Sequence, residues 1–294
     1  MLRKESRLGW GWRGVLAAGV ALVNCAIVCG TVCRSTKYPQ LVLDANVIRN
    51  AEGFLHEIED VYPVSINNSF RSYKEQEGLY QAWIARGKKG NPVAKPGNSR
   101  HEAGFAFDLN RLQTLTFNQW NWILTVGERY GFEYLLGDFP GEGTQKFDWP
   151  HFQADPGDYG LTLVEALAEN RTQNAAIGNC AWRAELSNAE KVYLEQLTVM
   201  NPRFGTVRWR DQKLMYLDAE LVNKGNRTVQ KVELRGELYD SLEKILQVRL
   251  LHPVSFPTAG LKPNEALSLH LLFGHVYDFW QANPLRVRVT YVEF

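Results

Sequence analysis

Two periodicities run along this chain and divide it. Between residues 44 and 60 apolar positions recur at helical spacing, and they do so again over Tyr73–Arg86 and from Phe117 to Tyr130. Gly131 follows the last of these in the position where helices commonly stop. Short apolar runs at Val64–Phe70 and Phe105–Asn110 read as strands between the helices. The connections are rich in Gly, Lys and Pro over Gly87–Ser99, and in Gly over Gly137–Thr144. Helices and strands mixed without βαβ regularity predict an α+β domain over 45–158. Residues 159–190 are weakly patterned, with a short helix at Leu161–Glu169, and read as a connector. From Tyr193 the period changes to two: LMYLDAELV, KVELRGELYD, LSLHLLFG and RVRVTYVEF are separated by turn sequences such as Asn223-Lys224-Gly225-Asn226. Short strands so spaced predict an all-β, immunoglobulin-like sandwich over 191–294.

The N-terminus has no such period. Arg3, Lys4, Arg7 and Arg13 precede an uncharged stretch from Gly14 to Cys33. About 20 apolar residues suffice to cross a bilayer, and basic residues ahead of them favour a cytoplasmic N-terminus. Residues 1–33 are therefore expected to be a cytoplasmic tip and an uncleaved transmembrane helix, with a cleaved signal as the second choice. Residues 34–44 are expected to be a linker. This puts the bulk of the chain outside the cytoplasm, in a cell envelope. Cys25, Cys29 and Cys33 share one face of the apolar stretch, leaving Cys180 as the lone exported cysteine and no internal disulfide. A net charge of +1 and no basic cluster give no case for nucleic acid.

Candidate chemistry is confined to two segments, Ser99-Arg100-His101-Glu102-Ala103-Gly104-Phe105-Ala106-Phe107-Asp108 and Phe147-Asp148-Trp149-Pro150-His151-Phe152. Imidazole and carboxylate together suit zinc, and three protein ligands leave a fourth position open for catalysis. The same residues also read as hydrogen-bonded loop histidines, and the side-chain types alone do not choose. His101-Glu102 is not the start of an H-E-x-x-H helix, because Phe stands at 105 and Gly104 opposes a helix, so Glu102 is not assigned as a base. Trp120 and Trp122 lie on the helix from Phe117 and read as packing residues. His252, His270 and His275 read as ordinary strand and turn residues.

The pattern S-x-H-x-x-G-x-A-x-D followed by D-x-x-H resembles the M15 metallopeptidases. These include the VanY-type D-alanyl-D-alanine carboxypeptidases and the L-alanyl-D-glutamate endopeptidases. Arg71-Ser72 with Gln76 is similar to the family's R-S-x-x-x-Q segment. The resemblance covers about 45–155 and implies a Hedgehog/DD-peptidase-like fold. It also implies a Zn2+ site held by His101, Asp108 and His151, with Asp148 as general base and acid. Arg71 is implied as a substrate contact, its alternative being a surface arginine paired with Glu75 or Glu77. Gln76 and Ser99 either orient substrate and ligands or serve capping and packing. The implied partner is the peptidoglycan stem peptide. Asp148-Trp149-Pro150-His151-Phe152 is nearer the endopeptidase form than the E-P-W-H of the carboxypeptidases, which leans the reading toward the L-Ala–D-Glu bond, with terminal D-Ala–D-Ala as the alternative. A non-catalytic zinc-containing module is the alternative of another class, and the sandwich is a candidate site for a protein partner.

Overall fold

An amphipathic helix and two capped ones set the frame of the first domain. In the computed structural model the described residues are 32–90, 92–110, 115–134, 151–171, 177–179, 186–209, 212–255, 260–275 and 286–294. Strands β1 (Val32–Arg34) and β2 (Val42–Asp44) lead into helix α1 (Ile48–Ile58), which buries Ile48, Ala51, Phe54, Leu55 and Ile58 on one face. β3 (Ile66–Asn68) precedes α2 (Tyr73–Ala85), started by a reciprocal capping box between Ser72 and Glu75. β4 (Ala106–Leu109) precedes α3 (Phe117–Arg129), started the same way by Thr116 and Gln119. The chain leaves α3 at Gly131, whose φ of 80° is costly for any residue with a Cβ. β5 (Glu133–Tyr134), β6 (His151–Gln153), a 3-10 turn (Pro156–Tyr159), α4 (Leu163–Arg171) and β7 (Gly178–Asn179) complete this half.

Strands β3-β4-β6-β5 form one antiparallel sheet. Phe107 and Phe152 are partners across β4 and β6 and pack with Phe54 of α1 and Phe132, ring centroids 5.0–6.1 Å apart. This aromatic layer is the centre of the core. Trp120 belongs to it as expected, 5.0 Å edge-on from Tyr134.

Three boundaries differ from the sequence reading. Residues 34–44 are not a linker, for β2 and the end of β1 lie there and Leu41 and Leu43 are fully buried. β1 pairs antiparallel with β2 and parallel with β7, so Val32 and Cys33 belong to the folded domain, not to an apolar anchor. Residues 1–31, which carry the rest of the expected membrane helix, lie outside the described residues. Among the described residues no helix is long and apolar enough to cross a membrane. Cys33 is disulfide-bonded, with its partner outside the described residues. The expectation of no disulfide depended on placing Cys33 in the anchor. The segment 159–190 is not a bare connector either: Leu161, Ala166 and Leu167 join the first core.

After α5 (Asn188–Leu194) come β8 (Leu197–Trp209), β9 (Gln212–Asn223), β10 (Lys231–Tyr239), β11 (Ile245–Ser255), β12 (Ala266–His275) and β13 (Arg286–Glu293). They form two three-stranded antiparallel sheets, β12-β9-β8 and β11-β10-β13. Leu217 and Leu221 of the first sheet and Val232, Leu234 and Val292 of the second share one apolar core.

The sheet containing β11 docks on the first domain through buried polar groups. Asn50 of α1 accepts the Leu250 N–H at 2.9 Å and donates to the Tyr159 hydroxyl at 3.0 Å. Arg49 pairs with Glu233 at 2.7 Å, and Arg249 with Asp158 at 2.6 Å while also donating to the Phe273 carbonyl. Val248 enters the first core. Removing one partner of a buried pair leaves the other without solvent or ligand. Asn50→Ala is therefore expected to cost about 1–3 kcal/mol, seen as a lower urea midpoint. An unchanged midpoint would show that the two Asn50 hydrogen bonds contribute nothing to stability.

Candidate metal centre

Side chains on a strand alternate between faces. Because Phe107 and Phe152 point into the aromatic core, their neighbours Asp108 and His151, themselves register partners, point to the opposite face. His101 arrives there from a tight turn. Ala103 N–H bonds Ser99 O, Gly104 N–H bonds His101 O, and Gly104 takes a φ of 74°. Buried Glu102 accepts the backbone N–H groups of Gly97 and Ser99, so its carboxylate shapes the turn and is not a base at the centre.

The ligand atoms of His101, Asp108 and His151 all lie within 4.8 Å of one another, and all three residues are buried. His101 Nε2 is 3.1 Å from His151 Nδ1 and 3.3 Å from Asp108 Oδ1; His151 Nδ1 is 3.1 Å from the same oxygen. The outer ring nitrogens decide what these atoms present. His101 Nδ1 lies 2.7 Å from the Ser69 carbonyl, which can only accept, so Nδ1 carries the proton and Nε2 offers a lone pair. His151 Nε2 lies 3.2 Å from Gln153 Oε1, which leaves Nδ1 as the inward acceptor. Two nitrogen lone pairs and a carboxylate oxygen thus face each other, an arrangement that repels itself and suits a cation.

The electrostatics agree. Burial pushes His101 down from its ordinary pKa, with Arg71 and His151 adding and Asp108 opposing, which favours the neutral ring that ligation needs. The Asp108 carboxyl is held well below the usual carboxylate range against the opposing effect of burial, so it is ionised and its oxygens are available as ligands.

Arg71 stands at the edge of the centre, Nη2 3.8 Å from Asp108 Oδ2. Its Nη1 donates to Gln76 Oε1 at 2.7 Å, and Gln76, the one buried side chain among the described residues of α2, donates in turn to the Ala94 carbonyl. Gln76 therefore orients Arg71, while Glu75 is occupied by the Ser72 cap. Ser99 is buried and accepts the His101 N–H at 3.2 Å, holding the turn. Six sequence-derived residues are thus brought together: His101, Asp108, His151, Arg71, Gln76 and Ser99. Asp148 lies outside the described residues. Ser69 and Gln153, which set the tautomers, escaped the sequence reading. Gln153 carried a signal, two residues past His151 on the same strand face; a backbone carbonyl carries none. In the second domain His270 pairs on the surface with Asp218 at 2.6 Å.

Residues 40–152, less than half of the chain, match the family model described as VanY: D-alanyl-D-alanine carboxypeptidase. A search of the curated proteins finds no match. Among solved structures, the chain is similar to the LdcB LD-carboxypeptidase, at 24% identity over 46% of this chain and 76% of that one, with a TM-score of 0.30. It is also similar to a mutant of the vancomycin resistance D,D-pentapeptidase VanY in complex with Zn(II), at 20% identity over 47% and 90%, with a TM-score of 0.33. The vancomycin resistance D,D-dipeptidase VanXYg, in complex with a D-Ala-D-Ala phosphinate analog, is 18% identical over 62% and 70%, with a TM-score of 0.33. The three candidate ligands and Arg71 all fall within the matched residues, so the stretch that is similar to the VanY family is the one that brings the candidate metal site together.

Proposed function

We propose that the chain is a D-alanyl-D-alanine carboxypeptidase of peptidoglycan stem peptides. The observation that carries the reading is a guanidinium, Arg71, held by Gln76 beside three converging metal ligands. A substrate ending in a free carboxylate needs such a planar cationic partner. The family description supports the same bond. Zinc held by His101, Asp108 and His151 supplies a Lewis acid that polarises a carbonyl and acidifies a water. Arg71 holds the terminal carboxylate and so fixes which bond is presented. Asp148 takes the proton of the attacking water and delivers it to the leaving amine as the C–O bond forms and the C–N bond breaks. The sequence Asp148-Trp149-Pro150-His151-Phe152 favours a second reading, cleavage between L-Ala and D-Glu.

We also infer a location. Residues 14–31 carry no charge and run without a spacer into β1. As a helix they would extend about 27 Å, close to the thickness of a bilayer's apolar core, and would hold the domain directly against the membrane. A disulfide at Cys33 accords with an oxidising, extracytoplasmic site. Residues 191–294 are read as an immunoglobulin-like module fixed to the peptidase domain.

Incubated with muropeptides, the zinc-loaded chain is expected to release free D-alanine by mass spectrometry. Asp148→Ala should retain zinc and slow release by about 10²-fold or more. Cleavage after L-alanine would select the second reading, and unchanged digestion by Asp148→Ala would remove this residue from the chemistry. The ring of His101 gives an independent check. A lowered pKa means that the metal-free protein keeps this ring neutral as pH falls through 6.5, its ordinary value, so its NMR titration midpoint should lie below 6.5. A midpoint at or above that value would contradict the environment described.

A further inference from the structure

Helix α4 lies beyond the residues that match the family, yet one of its side chains reaches the turn that carries His101. Asn170 is fully buried. Its Nδ2 donates to the Ala103 carbonyl at 2.7 Å and to Asp44 Oδ2 at 3.1 Å. Asp44 is also fully buried; its other oxygen accepts the Asn46 N–H at 2.9 Å, and its own N–H donates to the Gly104 carbonyl at 2.8 Å. There is no slack between these groups. A Cβ on Gly104 would stand 2.9 Å from Asp44 N and 3.5 Å from Asn170 Nδ2. The orientation of the amide follows from its neighbours, since turning it over would set its oxygen against a carboxylate and a carbonyl. In the orientation present, Asn170 Oδ1 is buried without a hydrogen-bond partner among the described residues, so the residue serves here as a donor.

We propose that Asn170 is a positioning residue of the zinc site, clamping the Ala103-Gly104 end of the His101 turn to Asp44. The proposal rests on the zinc-peptidase reading and extends it past the matched residues. On its other side the turn is held by the Arg71 N–H on the His101 carbonyl and by His101 Nδ1 on Ser69 O. With both sides fixed, His101 Nε2 is aimed at Asp108 and His151 before any ion arrives. Burial raises the Asp44 carboxyl to about 6, and the hydrogen bonds from Asn46 and Asn170 oppose that rise while the charge of Glu169 adds to it. Loss of the Asn170 donor therefore weakens both ends of the clamp. Outer groups that aim a metal-ligating histidine typically change metal affinity by about 10- to 100-fold when lost.

The test is zinc affinity of the full-length chain by competition with a chelator, together with the visible spectrum of the cobalt-substituted protein. Asn170→Ala and the near-isosteric Asn170→Asp are expected to weaken zinc by about tenfold or more and to alter the cobalt bands. Leu251→Ala, in the core of the sandwich, should lower thermal stability and leave both readouts unchanged. Should Asn170→Ala fail to fold, the comparison of Asn170→Asp with the double variant Asp44→Asn/Asn170→Asp carries the test. The double variant restores the 44–170 pair but leaves the Ala103 carbonyl facing a carboxylate, so zinc affinity should stay as low as in Asn170→Asp; recovery to the wild-type value would overturn the clamp. Wild-type affinity and spectrum in a folded Asn170 variant would overturn the proposal alone. Failure of the unaltered chain to bind zinc would overturn the zinc-peptidase reading with it.

Discussion

Three acceptor atoms with no proton among them, His101 Nε2, His151 Nδ1 and one oxygen of Asp108, are held within 4.8 Å of each other in a buried place. Such a cluster is unfavourable by itself, and much of the surrounding structure keeps it from relaxing. Strand pairing fixes Asp108 opposite His151, and the aromatic layer behind them stops either strand from turning over. The Ser69 carbonyl and Gln153 amide hold the outer protons of both rings, so neither histidine can put a hydrogen into the centre without losing its outer bond. A divalent cation resolves the repulsion, as the proposed peptidase function requires.

The second half of the chain is tied closely to that centre. Arg249, inserted from β11, pairs with Asp158 in the 3-10 turn that follows the His151 strand. α4, also beyond the family match, braces the His101 turn from behind. The domain that holds the candidate centre thus takes its support from residues well past its last ligand, and cutting the chain at the end of the family match would remove it.

Much of this was legible in the sequence because the decisive features are local or repeat at short range. Apolar spacing announces the helices over Tyr73–Arg86 and from Phe117 to Tyr130, whose starts the structure places at the Ser72–Glu75 and Thr116–Gln119 caps. The alternation in Phe105–Asp108 and His151–Gln153 announces which side chains share a face. What escaped depends on distant partners. β1 and β2 have three residues each, too few for a period, and exist because they pair with each other and with β7. β8 was obscured by Asn201-Pro202, where the register with β9 shifts. Cys33 looked like a membrane residue only while the strand containing it was unseen. Asn170 is one amide in an unremarkable helix, and its meaning comes from Ala103 and Asp44, over sixty residues away in sequence.

X-ray absorption at the zinc edge tests the central claim most directly. The account predicts a first shell of nitrogen and oxygen at about 2.0–2.1 Å, with multiple scattering from two imidazoles that falls to one in His151→Ala. A sulfur shell near 2.3 Å, or two imidazoles persisting in that variant, would contradict it.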